Sequence, residues 1–248
     1  MDLNSQEQPT LKNAVVLITG ANGGLGTEFV RQALERGARK VYATARTPRE
    51  WGDERIVPLA LDVTDAASIA AAAAAAPDVT VVINNAGATS PHSSLLDADL
   101  TETRALFETN FWGPLAVANA FLPALTATEG TLLNVHSVLS WLAIGDAYSA
   151  TKAALWSATN TQRLRLAPLG VHVAGLHLGY ADTPMTAGVD APKVSPADVV
   201  RDAYDGIEAR EYEILADDLS RQVKAGLAAP ITALYPDLPP VGSPLARA

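Results

Sequence analysis

Val15-Val16-Leu17-Ile18 is a short β-branched apolar run that leads straight into Thr19-Gly20-Ala21-Asn22-Gly23-Gly24-Leu25-Gly26. Residues from Thr27 to Arg36 then follow a helical periodicity closed by Gly37. A strand, a glycine-rich turn and a helix in that order limit the fold more than anything else in the chain. Further runs suited to strands lie at Lys40–Thr44, Ile56–Leu61, Val79–Ile83, Thr131–Val135 and Val171–Leu176. Helical patterns or loops separate them, with long helices expected from about Leu100 to Leu122 and from about Tyr148 to Ala167. Strands alternating with helices predict a parallel sheet. The expected architecture is α/β, a three-layer doubly wound fold with a seven-stranded parallel sheet, its strands complete by Leu176.

After Gly179 the pattern loosens. Ala181–Ala191 reads as a loop, Ser195–Ala209 as a helix capped by Ser195 with Pro196 at its first position, and Asp217–Leu227 as a further helix. No linker divides the 248 residues, so one domain over 1–248 is expected, with a core at about 12–215 and a Pro-rich tail at 230–248. The run Ala70–Ala76, between Thr64-Asp65 and Pro77, reads as an ordinary helix because Ala is the best helix former.

Composition removes several functions. A net charge of −9 repels nucleic acid phosphate and anionic lipid, and no basic patch offsets it. The absence of cysteine excludes disulfides, thiolate catalysis and cysteine-ligated zinc, and the four histidines do not cluster at ligand spacing. His92 reads as a loop residue. With no apolar run near 18 residues and a polar start, MDLNSQEQPTLKN, neither membrane span nor signal peptide is expected, and the expected location is cytoplasmic.

Glycines at 20, 24 and 26 let a backbone without side chains approach a pyrophosphate and aim helix N-terminal amides at its charge. A dinucleotide fits such a site. At the end of the second strand, an acidic residue would accept from a ribose 2′-hydroxyl, whereas a cation would neutralise a 2′-phosphate. Here the residues are Ala45-Arg46-Thr47, so Arg46 argues for NADP(H), with NAD(H) possible.

The spacing Thr-Gly-x-x-x-Gly-x-Gly resembles the short-chain dehydrogenase/reductase family of Rossmann-fold enzymes, and further segments between Thr19 and Thr183 resemble it in the right order. Leu61-Asp62-Val63 resembles the family's adenine contact and Asn84-Asn85-Ala86-Gly87 its strand-four motif. Asn110, Ser137, Tyr148 and Lys152 resemble its catalytic set. The resemblance implies a cofactor site of Gly20, Asn22, Gly24, Leu25, Gly26, Arg46, Asp62, Val63, Asn85, Ala86 and Gly87, together with Tyr148, Lys152, Tyr180 and Thr183. It implies hydride transfer between a carbonyl and an alcohol, and a homodimer or homotetramer. In many NADP-dependent relatives a second cation precedes the middle glycine, where this chain has Asn22 and Gly23.

Tyr148 and Lys152 stand four residues apart, hence on one face of a helix. A neighbouring ammonium favours the phenolate and is expected to lower the phenol's pKa. In reduction, Tyr148 would protonate the carbonyl oxygen, Ser137 would donate to the same oxygen, and Lys152 would bond the nicotinamide ribose by resemblance. Asn110 resembles the helix asparagine that anchors a water on a proton relay, with a helix kink as the alternative. Two departures stand out. Ser137 to Tyr148 is 11 residues, shorter than in most relatives, which leaves Ser140 as a competitor, and the usual Pro-Gly after the sixth strand is Leu178-Gly179. Leu139, Trp141, Leu142, Tyr180 and Met185 are the substrate-facing candidates, suited to a hydrophobic ketone or alcohol, with ordinary packing as the alternative. His136 and His177 read as structural histidines near the cleft. A catalytically silent dinucleotide-binding regulator is the competing reading, and epimerisation or dehalogenation on the same scaffold a further one.

Overall fold

A computed structural model describes residues 11–90 and 93–239, so His92, the start of the chain and the end of the Pro-rich tail lie outside the described residues. The strands are β1 (Val15–Ile18), β2 (Lys40–Ala45), β3 (Ile56–Ala60), β4 (Val81–Asn84), β5 (Thr131–Val135), β6 (His172–His177) and β7 (Glu213–Leu215). They form one parallel sheet in the order β3-β2-β1-β4-β5-β6-β7. Because successive side chains of a strand point to opposite faces, Val16 and Ile18 join one apolar layer while Val15 and Leu17 join the other. Both faces are therefore covered, which is why the strands read as continuous apolar runs.

Helices α1 (Gly24–Glu35) and α6 (Pro196–Glu208) cover the first face, where Tyr204 is fully buried edge-on to Phe29 and donates to the Phe29 carbonyl at 2.8 Å. Burying one such ring contributes about 1.5–3 kcal/mol. On the other face lie α2 (Ala66–Ala75), α4 (Gly113–Ala127) and the long α5 (Asp146–Leu166). The alanine run is indeed a helix, capped by Asp65, whose carboxylate accepts from the Ala67 amide at 2.9 Å. Ser195 caps α6 in the same way, with Pro196 in its first turn.

A polar tie crosses this second layer. Asn84 Nδ2 donates to the Pro114 carbonyl at 3.0 Å and to Asn134 Oδ1 at 2.9 Å. Asn134 Nδ2 donates in turn to Thr159 Oγ1 at 2.8 Å and Gln162 Oε1 at 2.9 Å on α5. Both asparagines are buried, so each bond also spares an amide the cost of lying unpaired.

Three expectations are corrected. The sheet has seven strands, but six of them precede Leu178 and the seventh is Glu213–Leu215, too short for an apolar pattern, with Ile214 its one buried residue. The helix expected from Leu100 to Leu122 is α3 (Thr101–Phe107), a π turn at Glu108–Trp112 and then α4. Pro114, which lacks an N–H, follows at the start of α4, and π turns of this kind recur at functional sites. Finally, α5 begins at Asp146, two residues before Tyr148. Two shorter helices complete the chain, α7 (Asp218–Gly226) and α8 (Ile231–Leu234).

Strands β1 and β4 are neighbours although not consecutive, so connections leave this point of the sheet in opposite directions. Beyond the carboxyl ends of the strands at such a point is the usual ligand position in sheets of this order.

Candidate active site

The glycine turn follows β1 at that point. Gly20 has φ +66°, and a Cβ on it would lie 3.0 Å from the Ala86 Cα. A Cβ on Gly26 would lie 2.2 Å from the Gly20 carbonyl oxygen, so the first turn of α1 closes on the loop only without a side chain. Ala normally outranks Gly in a helix interior by about 1 kcal/mol. Gly26→Ala is nevertheless expected to lower stability by about 1–3 kcal/mol through overpacking, read as a lower urea midpoint. An unchanged midpoint would show the turn to be looser than drawn.

Side chains from β1 and β4 brace the turn. Thr19 Oγ1 accepts from the amides of Asn85 at 3.0 Å and Ala86 at 2.9 Å. Asn85 Nδ2 returns bonds to the carbonyls of Thr19 at 2.9 Å and Gly20 at 3.3 Å. Asn22 donates to the Thr47 carbonyl at 2.8 Å, drawing the loop after β2 onto the turn. Arg46 is exposed on that loop. The backbone and hydroxyl of Thr64 hold the Asp62 carboxyl below its ordinary range, and Arg46 adds to the effect, so Arg46 and Asp62 share the mouth of β2 and β3. Leu25 is half-buried at the start of α1, and Val63 packs where a Cβ on Gly113 would lie 3.0 Å away. Thr183 leans on the turn from the opposite side, 2.5 Å from where a Gly24 Cβ would stand. A flat, side-chain-free floor with helix amides at one end fits a pyrophosphate.

At the ends of β4 and β5 the chemistry-bearing residues meet. Lys152 is 5% exposed and its Nζ donates to the Val135 carbonyl at 2.9 Å. It lies 5.7 Å from the centroid of the Tyr148 ring. Tyr148 is half-buried and its hydroxyl is hydrogen-bonded with Ser137. The competitor Ser140 turns inward, where its Oγ accepts from the Ser137 amide at 3.4 Å. Gly87 adjoins both Asn110 and Lys152, since a Cβ on it would lie 3.5 Å from Asn110 Oδ1 and 3.9 Å from Lys152 Nζ.

Asn110 is fully buried in the π turn. Its Oδ1 accepts from the Ala88 amide at 2.8 Å, and its Nδ2 donates to the Ala88 carbonyl at 2.9 Å and to Thr151 Oγ1 at 3.2 Å. The asparagine thus clamps the segment after β4 to α5, and the helix distortion expected as the alternative role is present as well.

The electrostatics correct one expectation. Burial pushes the Tyr148 phenol up to about 12, outweighing the Ser137 bond that pulls the other way. Burial also brings Lys152 down to about 8. The ammonium donates to the Val135 carbonyl, and burial dominates the phenol, so its pKa lies above rather than below the ordinary value.

His136 and His177 stack with ring centroids 4.7 Å apart, and Trp141 stacks on His177 at 4.0 Å. Burial lowers His136 well below its ordinary range and His177 to about 4, so both rings are neutral near pH 7. Trp141 is occupied by this stack, by Trp156 at 6.2 Å and by the Lys224 ammonium 5.0 Å from its ring. Leu139 lies against Gly145 near Tyr148, Leu142 is half-buried in the same loop, Tyr180 acts on Tyr148 electrostatically, and Met185 is 49% exposed.

Asp146 was not foreseen. Its backbone is at φ +49°, unusual for a residue with a side chain, and its carboxylate accepts from Ser94 Oγ at 2.8 Å and the Leu95 amide at 2.9 Å. No local pattern reveals such a residue, because its partners are about fifty positions away.

Sheet order, glycine turn and the tyrosine–lysine–serine cluster define a class, the dinucleotide-fold α/β proteins with a protonatable pair at the strand ends. A model of the short chain dehydrogenase family matches residues 14–193. The short-chain dehydrogenase PC-15 of Penicillium crustosum is 37% identical over 188 residues, covering 70% of this chain and 68% of its own length. A Burkholderia cenocepacia short chain dehydrogenase solved in complex with NADP superimposes with a TM-score of 0.87 at 35% identity, over 93% of this chain and 99% of that one. An NADPH-bound carbonyl reductase from chicken fatty liver gives 0.74 at 26% identity, over 83% and 97%. The chain belongs to the short-chain dehydrogenase family, a family of oxidoreductases.

Proposed function

We propose that this protein reduces a ketone or aldehyde to an alcohol, or runs the reverse reaction, with NADP(H) as preferred cofactor and NAD(H) tolerated. The observation that carries the reading is the half-buried Tyr148 hydroxyl on Ser137, with Lys152 one helical turn behind at the mouth of the glycine turn. The cofactor supplies the hydride. Gly20, Asn22, Gly24, Leu25 and Gly26 hold its pyrophosphate end, Asp62 and Val63 its adenine, and Asn85, Ala86, Gly87, Tyr180 and Thr183 its nicotinamide half, with Lys152 on the ribose. Tyr148 releases its proton to the carbonyl oxygen, and Ser137 donates a hydrogen bond to that oxygen as charge develops there. Asn110 is a positioning residue, acting through Ala88 and Thr151. Leu139, Leu142, Tyr180 and Met185 receive an apolar substrate, with Trp141 as backing. The NADP- and NADPH-bound relatives support this choice of cofactor, and the carbonyl reductase supports this reaction. The same reading takes residues 1–248 as one domain of a cytoplasmic homodimer or homotetramer; no helix among the described residues is long and apolar enough to cross a membrane.

The test is oxidation of NADPH and of NADH against a panel of ketones and aldehydes, with Arg46→Asp measured alongside. A charged hydrogen bond to the 2′-phosphate is worth about 1.5–3 kcal/mol, so the variant should lose about tenfold to a hundredfold in kcat/KM with NADPH and move toward NADH. No turnover of any carbonyl would sink the reaction, and unchanged NADPH use in the variant would make Arg46 a mere surface residue.

A further inference from the structure

The wall of the cleft between Ser137 and Tyr148 is a short loop that is held from outside itself. It carries Ile144 at 70% exposure and faces Leu95 and Leu96, at 49% and 95%, across the Asp146 carboxylate that bonds Ser94 and Leu95. This is a greasy rim, anchored at Trp141 and Asp146 but exposed between them at Ala143 and Ile144.

At Ala143 the restraint comes from the C-terminal segment. The Ala143 amide donates to the Tyr235 hydroxyl at 2.9 Å, 92 residues along the chain. Tyr235 is half-buried although its neighbours Ile231 to Ala233 and Pro236 to Leu238 are exposed, so the ring is a main attachment of α8. The same segment holds the cleft at two further points. Lys224 of α7 sits 5.0 Å over Trp141 while pairing with Glu213 at 2.6 Å, and the Asp217 carboxylate accepts from the Gly179 amide at 2.6 Å. Residues 217–235 thus touch both loops that flank Tyr148, and they lie wholly beyond the 14–193 stretch matched by the family model.

We propose that Tyr235 is a specificity-determining positioning residue. Its hydroxyl sets where Ala143 and Ile144 stand, and so how large an apolar carbonyl compound reaches Tyr148. The inference rests on the proposed carbonyl reduction. It also puts the choice of substrate size in a part of the chain that the family match does not include.

Tyr235→Phe keeps the ring and removes the one bond. Losing a neutral hydrogen bond should cost about fivefold in kcat/KM for bulky apolar ketones relative to a small aldehyde. The change should appear in KM with kcat preserved and NADPH affinity unchanged. Amide hydrogen exchange at Ala143, followed by NMR, should quicken by a similar factor. An unchanged ratio across the panel overturns the proposal, even with faster exchange, because the bond then holds the loop without selecting. Unchanged exchange overturns it as well. A wild-type chain inactive on every carbonyl counts instead against the proposed carbonyl reduction, while the exchange measurement, which needs no turnover, still decides whether Tyr235 holds the loop.

Discussion

Tyr148→Phe should reduce ketone-dependent NADPH oxidation by about a thousandfold, about 4 kcal/mol of transition-state stabilisation, within the range general acids supply. Phenylalanine fills the same space against Lys152 and Leu139, so what disappears is one hydroxyl and its bond with Ser137. NADPH binding, titrated by fluorescence, should stay close to wild type because the glycine turn is untouched. With the phenol pushed up to about 12, Tyr148 stays protonated throughout the neutral range, as the reduction direction requires. The reverse direction needs the phenolate, so alcohol oxidation should climb as pH rises. A variant that keeps most of its turnover would remove Tyr148 from the acid's role.

Lys152→Met should separate activity from stability. The folded ammonium has a pKa of about 8 against an ordinary 10.5. Between those values the unfolded chain binds more protons than the folded one, so the wild type gains stability as pH rises through that window. Below about 8 the full cost of the buried charge is present: 10.5 minus 8 is 2.5 units, or about 3 kcal/mol. Methionine removes that cost and also the bond to the Val135 carbonyl, worth about 1 kcal/mol. The variant should therefore be about 1–2 kcal/mol more stable near pH 7 by urea unfolding. That advantage should shrink toward pH 10.5. Turnover should fall about a hundredfold, since the ribose and the proton path both lose their cation. A less stable variant at neutral pH, or one with full activity, contradicts this account.

Much of this molecule is legible in its sequence, for a physical reason. Strands buried on both faces must be largely apolar, and the runs Val15–Ile18 and Val81–Ile83 stand out for that reason. The glycine turn is readable because a side chain at Gly26 would press on the Gly20 carbonyl. Glu213–Leu215 is not readable, because an edge strand of three residues leaves no period to detect. The π turn at Asn110 depends on contacts with Ala88 and Thr151, and local propensity carries no trace of them. Ser137 and Tyr148 are singled out as candidates by their order along the chain. The raised phenol pKa depends on burial, which only the folded arrangement supplies.

The asparagine pair beneath α5 works like the key of a keyed shaft. Two apolar surfaces can slide or roll a little against each other at small cost, but an amide bonded to Thr159 and Gln162 at one end and to Asn84 at the other cannot. The helix that carries Tyr148 and Lys152 is therefore indexed to β4 and β5 in rotation as well as depth. Its outer face is free to drift in evolution, or to be redesigned, without turning the phenol away from Ser137.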